Sequence, residues 1–281
     1  MKKYSLILLK KTIGLFINLL HCVLPTQAVR LTYYFFSTPN ADKLEALKLP
    51  EILNNAEKEI IKFEDYSIQS YIWKGNNNKI LLAHGWESNA SRWENLLVKL
   101  RKTGSTIIAI DAPAHGLSNS LEFSVPLYSR FIYELCKIHQ PKAIVAHSMG
   151  AFATSHYQNY YKPKHLRKLV LLGSPSSLAI IIQNFTKSLG LKSKILNNYK
   201  AFLENKFSIT IETFSTEDFM KNCKIDGLLI HDKDDNIVAF SEATKIASAW
   251  QNVQFIKTKN LGHSMHDDDL YNKICTFLSE E

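Results

Sequence analysis

Among the 281 residues, one serine stands where a nucleophile could be built. Ser148 lies in Val145-Ala146-His147-Ser148-Met149-Gly150-Ala151, directly after the apolar run Ala143-Ile144-Val145-Ala146 and ahead of a helical pattern. A serine hydroxyl is a poor nucleophile at neutral pH. It attacks an acyl carbon effectively only when a positioned base takes its proton and an acid orients that base. Candidate partners lie downstream, in His231-Asp232-Lys233-Asp234-Asp235 and in Gly262-His263-Ser264-Met265-His266. Taken alone, a bare S-x-G also suits a capping serine in an ordinary strand-to-helix turn. An aspartate-rich run equally suits a solvated loop.

Positioning such groups is the task of the surrounding elements. From Lys79 onward, short continuous apolar runs each end in a Gly, Asp, His or Ser and are followed by helical pattern. They are Ile80–Ala83, Thr106–Ile110, Ala143–Ala146, Leu169–Leu172 and Leu228–Ile230, with a more polar run at Val253–Ile256. Such runs describe strands buried on both faces, and their alternation with helices implies a parallel sheet with right-handed crossovers. In open sheets of this kind, functional residues gather at the carboxyl ends of the strands. Upstream, Ile60–Phe63 and Ile68–Trp73 flank the turn-prone Glu64-Asp65 and read as an antiparallel hairpin at a sheet edge. Ala41–Ala56 reads as a short helical stretch, and Gly75-Asn76-Asn77-Asn78 as a turn. Between Pro175 and Asp226 only helical patterning occurs, which suggests a helical cap inserted over the strand ends, at about residues 175–225.

The wording around Ser148 resembles the nucleophile elbow of the α/β-hydrolases, G-x-S-x-G, with Ala146 in place of the first glycine. That turn is strained, and bulky side chains two residues either side of the serine would strike neighbouring backbone. Two further segments agree in order. His84-Gly85-Trp86 follows the Ile80 run where this superfamily places its oxyanion loop. Asp111-Ala112-Pro113-Ala114-His115-Gly116-Leu117-Ser118 resembles its D-x-P-G-H-G-x-S turn. The resemblance implies that the Trp86 and Met149 amides bind the oxyanion, that His84 is a structural hydrogen-bonder, and that the Asp111 turn is scaffolding. It also implies the chain order Ser, Asp, His. Leu229–Val238 resembles the H-G-x-x-D-x-x-V-P segment, which makes Asp235 the catalytic acid and Asp234 its rival. Leu261-Gly262-His263-Ser264 resembles the turn carrying the histidine, which makes His263 the base and His266 its rival. The resemblance runs from about Ile60 to the C-terminus and is nearest in wording to small bacterial serine esterases and monoacylglycerol-lipase-like proteins. Its implied fold is a mostly parallel sheet with helices on both faces and a helical cap. Its implied activity is hydrolysis of a carboxylic ester or thioester of a hydrophobic acyl group, with no cofactor or metal. Acyl transfer or carbon–carbon hydrolysis by the same triad remains open, as does a non-catalytic binding role. A serine at the elbow argues against dehalogenase and epoxide hydrolase chemistry, which need an aspartate there.

Composition narrows the partners. Apolar residues make up 46% and charged residues 21%, as in an ordinary globular chain. The net charge is +8, but the lysines are scattered and no nucleic-acid motif is present, so no nucleic-acid partner is expected. Four dispersed cysteines without a CxxC pair indicate neither a disulfide framework nor a zinc site and fit a reducing compartment. Residues 1–40 form a distinct apolar region ahead of the hydrolase-like 41–281. Three readings bear on it. Lys2-Lys3 and Thr26-Gln27-Ala28 suit a secretory signal. Lys10 and Lys11 interrupt the run and oppose a membrane-spanning helix. Lys3, Lys10, Gly14, Asn18 and His21 share one stripe of an amphipathic helix, which either packs on the domain or meets a membrane surface. The expected location is cytoplasmic, peripheral to the membrane through this helix, with export as the alternative.

Overall fold

The computed structural model describes residues 2–41 and 43–280, with side chains from Ile7 onward; the side chains of Lys2 and Lys3 lie outside the described residues. The chain runs α1 (Lys2–Val23), α2 (Pro25–Ser37), α3 (Glu51–Asn54), β1 (Glu57–Phe63), β2 (Tyr66–Trp73), β3 (Asn76–Ala83), α4 (Glu94–Leu100), β4 (Ser105–Ile110), α5 (Val125–His139), β5 (Ala143–His147), α6 (Met149–Tyr161), β6 (Lys168–Leu172), α7 (Leu178–Leu189), α8 (Ser193–Phe207), α9 (Thr216–Met220), β7 (Asp226–Asp232), α10 (Phe240–Ala249), β8 (Val253–Thr258) and α11 (Asp268–Ser279). It divides into two compact units. One comprises residues 1–38 and 177–215, and the other comprises 39–176 and 216–281.

The larger unit is built on an eight-stranded sheet of order β1-β2-β4-β3-β5-β6-β7-β8. The β1–β2 and β2–β4 pairings are antiparallel, and all pairings from β4 through β8 are parallel. Every apolar run singled out in the sequence is a strand. The expected edge hairpin is present, with Phe63 opposite Tyr66 and Glu64 at φ 48° in its tight turn. Side chains alternate across the pleat. Ile80, Leu82, Val145, Val170 and Leu228 share one core with Trp93 and Leu97 of the α4 region and with Ile274 and Phe277 of α11. On the opposite side α5 packs against α6, and α6 against β3 and β5. Serine and aspartate caps start the helices cleanly: Ser124 Oγ accepts the Leu127 amide at α5, and Asp267 Oδ1 accepts the Leu270 amide at α11.

Two local expectations are corrected. Ala41–Ala56 contains only the single turn α3, because Pro50 has no N–H to donate and cannot sit inside a helix. Asn76–Asn78 do not form a free turn. They begin β3, with a register shift against β4 between Asn76 and Lys79.

The smaller unit is purely helical and joins two distant stretches of chain. α1 packs on α2 and on α7, and α2 packs on α8. Ile17, Ala28, Leu189 and Ile195 form its centre. Tyr33 lies against Phe202, and Phe36 against Phe185 and Tyr199, with ring centroids 5.2–5.7 Å apart. α1 meets α7 at Gly14, where a Cβ would fall 1.8 Å from the Leu189 carbonyl oxygen. Asn18 then caps the end of α7. Its Nδ2 donates to the Gly190 carbonyl at 2.9 Å, and its Oδ1 accepts the Lys192 amide at 3.0 Å. Gly14→Leu should therefore lift α1 from α7, an overpacking penalty of about 1–3 kcal/mol. Trypsin cleavage after Lys10 or Lys11 should accelerate roughly tenfold. Unchanged cleavage rates would contradict this packing.

Candidate active site

Ser148 is the residue between β5 and α6, and its backbone sits at φ 53° and ψ −119°, a region non-glycine residues rarely enter. The turn is this sharp because strand and helix meet with no intervening loop. The Ser148 amide donates to the Leu172 carbonyl of β6 at 2.8 Å, which ties the turn to the neighbouring strand. The glycines beside it are demanded by close backbone approach. A Cβ on Gly150 would come within 2.5 Å of the Ala83 and His84 carbonyl oxygens, and one on Gly85 within 2.9 Å of the Ser148 Cβ. The loop after β3 is thus pressed against the serine. Among the described residues, the amides of Trp86 in that loop and of Met149 at the start of α6 find no protein acceptor.

The three residues singled out from sequence lie in hydrogen-bond contact. Ser148 Oγ is 3.0 Å from His263 Nε2, and His263 Nδ1 is 2.7 Å from Asp235 Oδ2. The other carboxylate oxygen, Asp235 Oδ1, accepts the amides of Ile237 and Val238 at 2.8 and 2.9 Å. Burial pushes the Asp235 carboxyl upward, but the His263 hydrogen bond and these two amides outweigh it and hold it below the usual range. An ionised Asp235 fixes the tautomer: His263 carries its proton on Nδ1 and leaves Nε2 to accept from the Ser148 hydroxyl.

The rivals have other work. Asp234 Oδ2 accepts the Asn260 amide at 3.0 Å, and His266 Nδ1 bonds the Tyr271 hydroxyl. Asp232 accepts the Thr258 hydroxyl at 2.7 Å and the Leu261 amide at 3.1 Å. Asp232 and Asp234 therefore clamp the loop that carries His263, a job the sequence did not reveal. His147 was also missed. Its buried Nε2–H donates to the His263 backbone carbonyl at 2.8 Å, with the two imidazoles 4.8 Å apart. The only sequence signal for it was its place immediately before Ser148. Arg92 adds a third tie, donating from Nη2 to the Ser264 carbonyl at 3.0 Å. Among the described residues, no group of three or more His, Cys, Asp or Glu side chains is arranged to hold a metal ion.

The turns behind the site form a buried polar frame. His84 Nε2 accepts the Ala112 amide at 2.9 Å, so its Nδ1–H donates to the Gly85 carbonyl at 2.7 Å. His115 repeats the pattern, accepting the Glu87 amide and donating to the Pro113 carbonyl. Asp111 accepts the Ala90 amide through Oδ1 and the Leu117 amide and Tyr71 hydroxyl through Oδ2. Burial pushes Asp111 up to about 6 despite these bonds, lowers His115 to about 4, and lowers His84 and His147 well below the usual imidazole value. The histidines make the native state sensitive to acid. Below about pH 6.5 the unfolded chain binds protons that these buried rings refuse, so stability falls as pH drops towards 4. Asp111 acts oppositely in the window from about 4 to 6, but it stands against three histidines. The urea midpoint should therefore fall between pH 6.5 and 4.5. His115 alone accounts for a loss on the order of 3 kcal/mol, and His115→Gln should flatten the dependence. A midpoint that rises on acidification would contradict the neutral frame.

Comparison with known proteins bears on the fold. A sequence model of the family described as alpha/beta hydrolase fold matches residues 78–210. A serine hydrolase-like protein of Danio rerio is 26% identical over 133 residues, covering 43% of this chain and 40% of the relative. A pimeloyl-[acyl-carrier protein] methyl ester esterase of Wigglesworthia glossinidia brevipalpis is 24% identical over 162 residues, covering 54% and 58% respectively. The chain thus spans about half the length of these curated relatives. Among solved structures, alpha/beta hydrolase domain-containing protein 10 from mouse superposes with a TM-score of 0.62 at 15% identity, over 79% of this chain and 97% of the other; this is a likeness of fold. Strand order, the succession of turns along the sheet and these matches together show the α/β-hydrolase fold.

Proposed function

We propose that the protein is a serine hydrolase that cleaves a carboxylic ester or thioester through an acyl-enzyme. The observation that carries this reading is the continuous hydrogen-bonded line from Ser148 Oγ through the His263 ring to Asp235. Ser148 Oγ attacks the acyl carbon while His263 Nε2 takes its proton. Asp235, held by the Ile237 and Val238 amides, stays ionised and orients the resulting imidazolium. The developing oxyanion accepts hydrogen bonds from the Trp86 and Met149 amides, donors that no protein group among the described residues otherwise uses. His263 Nε2–H then protonates the departing alkoxide or thiolate. Water, deprotonated by the same nitrogen, attacks the acyl-serine and releases the acid. Trp86 packs on His115 and Phe123, and it and Met149 place apolar side chains on the two residues whose amides face the reacting carbon. This favours a hydrophobic acyl group. The relative named a methyl ester esterase points to the same class of substrate bond.

Three measurements test the reading. Purified protein should hydrolyse p-nitrophenyl esters, with Ser148→Ala reducing the rate by about 10⁴ or more, and a fluorophosphonate probe should label the parent but not the variant. No labelling and no turnover by the folded parent would sink the proposal. Asp235→Asn should lower kcat by about 10⁴ by imposing the wrong histidine tautomer, whereas Asp234→Asn should leave kcat within a factor of about two. Equal losses from both substitutions would exclude Asp235 as the orienting acid.

A further inference from the structure

α1 buries Ile17 in the helical unit, with Ile13 and Leu20 beside it, yet leaves a second row of large apolar side chains uncovered. Its inward face carries Gly14 against α7, Asn18 bonded to the Gly190–Lys192 turn, and His21, whose Nε2 accepts from Asn198 at 3.1 Å. Lys11 lies along the same face, its ammonium donating to the Lys187 carbonyl at 3.4 Å. Outward stand Leu8, Leu15, Phe16, Leu19 and Val23, which are 69, 60, 58, 61 and 77% exposed. Their spacing puts them on one row, and Leu9 extends it at its edge. Scattered exposed leucines are ordinary, but a contiguous row of large side chains marks a surface that another apolar phase covers.

Charge identifies that phase. Residues 1–38 contain no aspartate or glutamate, and the helical unit as a whole holds ten lysines and arginines against two acids, Glu204 and Glu212. Its formal charge of +8 is the entire net charge of the chain; the sheet unit carries equal numbers of each sign. A protein partner for an apolar row does not require such segregation. A bilayer with anionic headgroups matches both features, taking apolar side chains at its acyl boundary and cations at its surface. No helix among the described residues is long and apolar enough to cross a membrane, so α1 would lie along the surface and not through it. At 22 residues it spans about 33 Å, long enough to be a broad contact.

We propose that α1 docks the protein on anionic phospholipid bilayers, with the Leu8-Leu15-Phe16-Leu19-Val23 row in the acyl boundary and the cations of the helical unit over the headgroups. The proposal is independent of the catalytic reading, because its test reads binding and not turnover. The full chain is floated with vesicles of phosphatidylcholine alone, or with phosphatidylglycerol mixed in, at low and high salt. The parent should partition at least about tenfold more strongly onto the anionic vesicles and lose this preference in high salt. Leu15→Glu/Phe16→Glu/Leu19→Glu should weaken binding about a hundredfold, and the milder Phe16→Ser about tenfold, with circular dichroism and thermal midpoint unchanged because these side chains are more than half exposed and lie outside the helical core cluster. A parent that stays in solution with anionic vesicles overturns the proposal. So does a triple variant that floats like the parent. A parent that dimerises in vesicle-free buffer, is dispersed by the triple variant and does not float would instead assign the row to a second copy of the chain, and would equally overturn docking on lipid.

Discussion

Ser148 can present its hydroxyl only because the backbone there is held in a conformation it would not choose. A non-glycine residue at φ 53° and ψ −119° costs about 1–3 kcal/mol, and the turn persists because three strands over-determine it. The amide is bound to β6, the following helix is seated against the β3 carbonyls at Gly150, and the loop after β3 closes on the serine at Gly85. Relaxing any one of these contacts would let the turn unwind and withdraw the hydroxyl. The parallel core of the sheet is thus the device that stores the strain, and the adjacent strands β3-β5-β6 supply all of these contacts.

Around this turn the fold spends its buried polar groups on holding loops to one another. Asp111 gathers the β3 and β4 loops, Asp232 gathers the β7 and β8 loops, and His84 and His115 each bond one amide and one carbonyl. Burial keeps these imidazoles neutral, and neutrality is what lets one ring both donate and accept. Asp235 differs from Asp111 in a way that matters. It faces two amides and a ring that gains a proton during the proposed reaction, so its carboxylate is kept ionised where Asp111 is pushed towards protonation.

Much of this was legible from sequence because the signals were local. Buried parallel strands announce themselves as uninterrupted apolar runs, and each motif sat at the end of one. What stayed hidden depended on long-range geometry. The resemblance of Leu229–Val238 picked out Asp235, but nothing in Asp232-Lys233-Asp234 tells that these two carboxylates reach the loop at 258–261. His147 reads as one more residue of a motif until its ring is seen beneath the His263 carbonyl. The sharpest case is α1. Periodicity reported correctly that Gly14, Asn18 and His21 share a face, but it is silent on which face turns inward. In this chain Gly14 and Asn18 of that stripe pack inward beside Ile17, because they meet the open end of α7. The short helical stretch expected between Ala41 and Ala56 is the four-residue α3, which starts only after Pro50.

The helical unit is assembled from segments far apart in the chain, and this shapes how it comes into being. During synthesis α1 and α2 emerge well before α7 and α8, the helices that carry the surfaces Gly14, Ile17 and Tyr33 require and that follow more than a hundred residues later. At translation rates of about 5–20 residues per second, the interval is on the order of ten seconds or longer. Throughout it both faces of α1 are bare, the one destined for α7 as well as the one that stays exposed. The nascent chain therefore offers a long-lived apolar segment to whatever meets it at the ribosome, and early capture competes directly with completion of the fold.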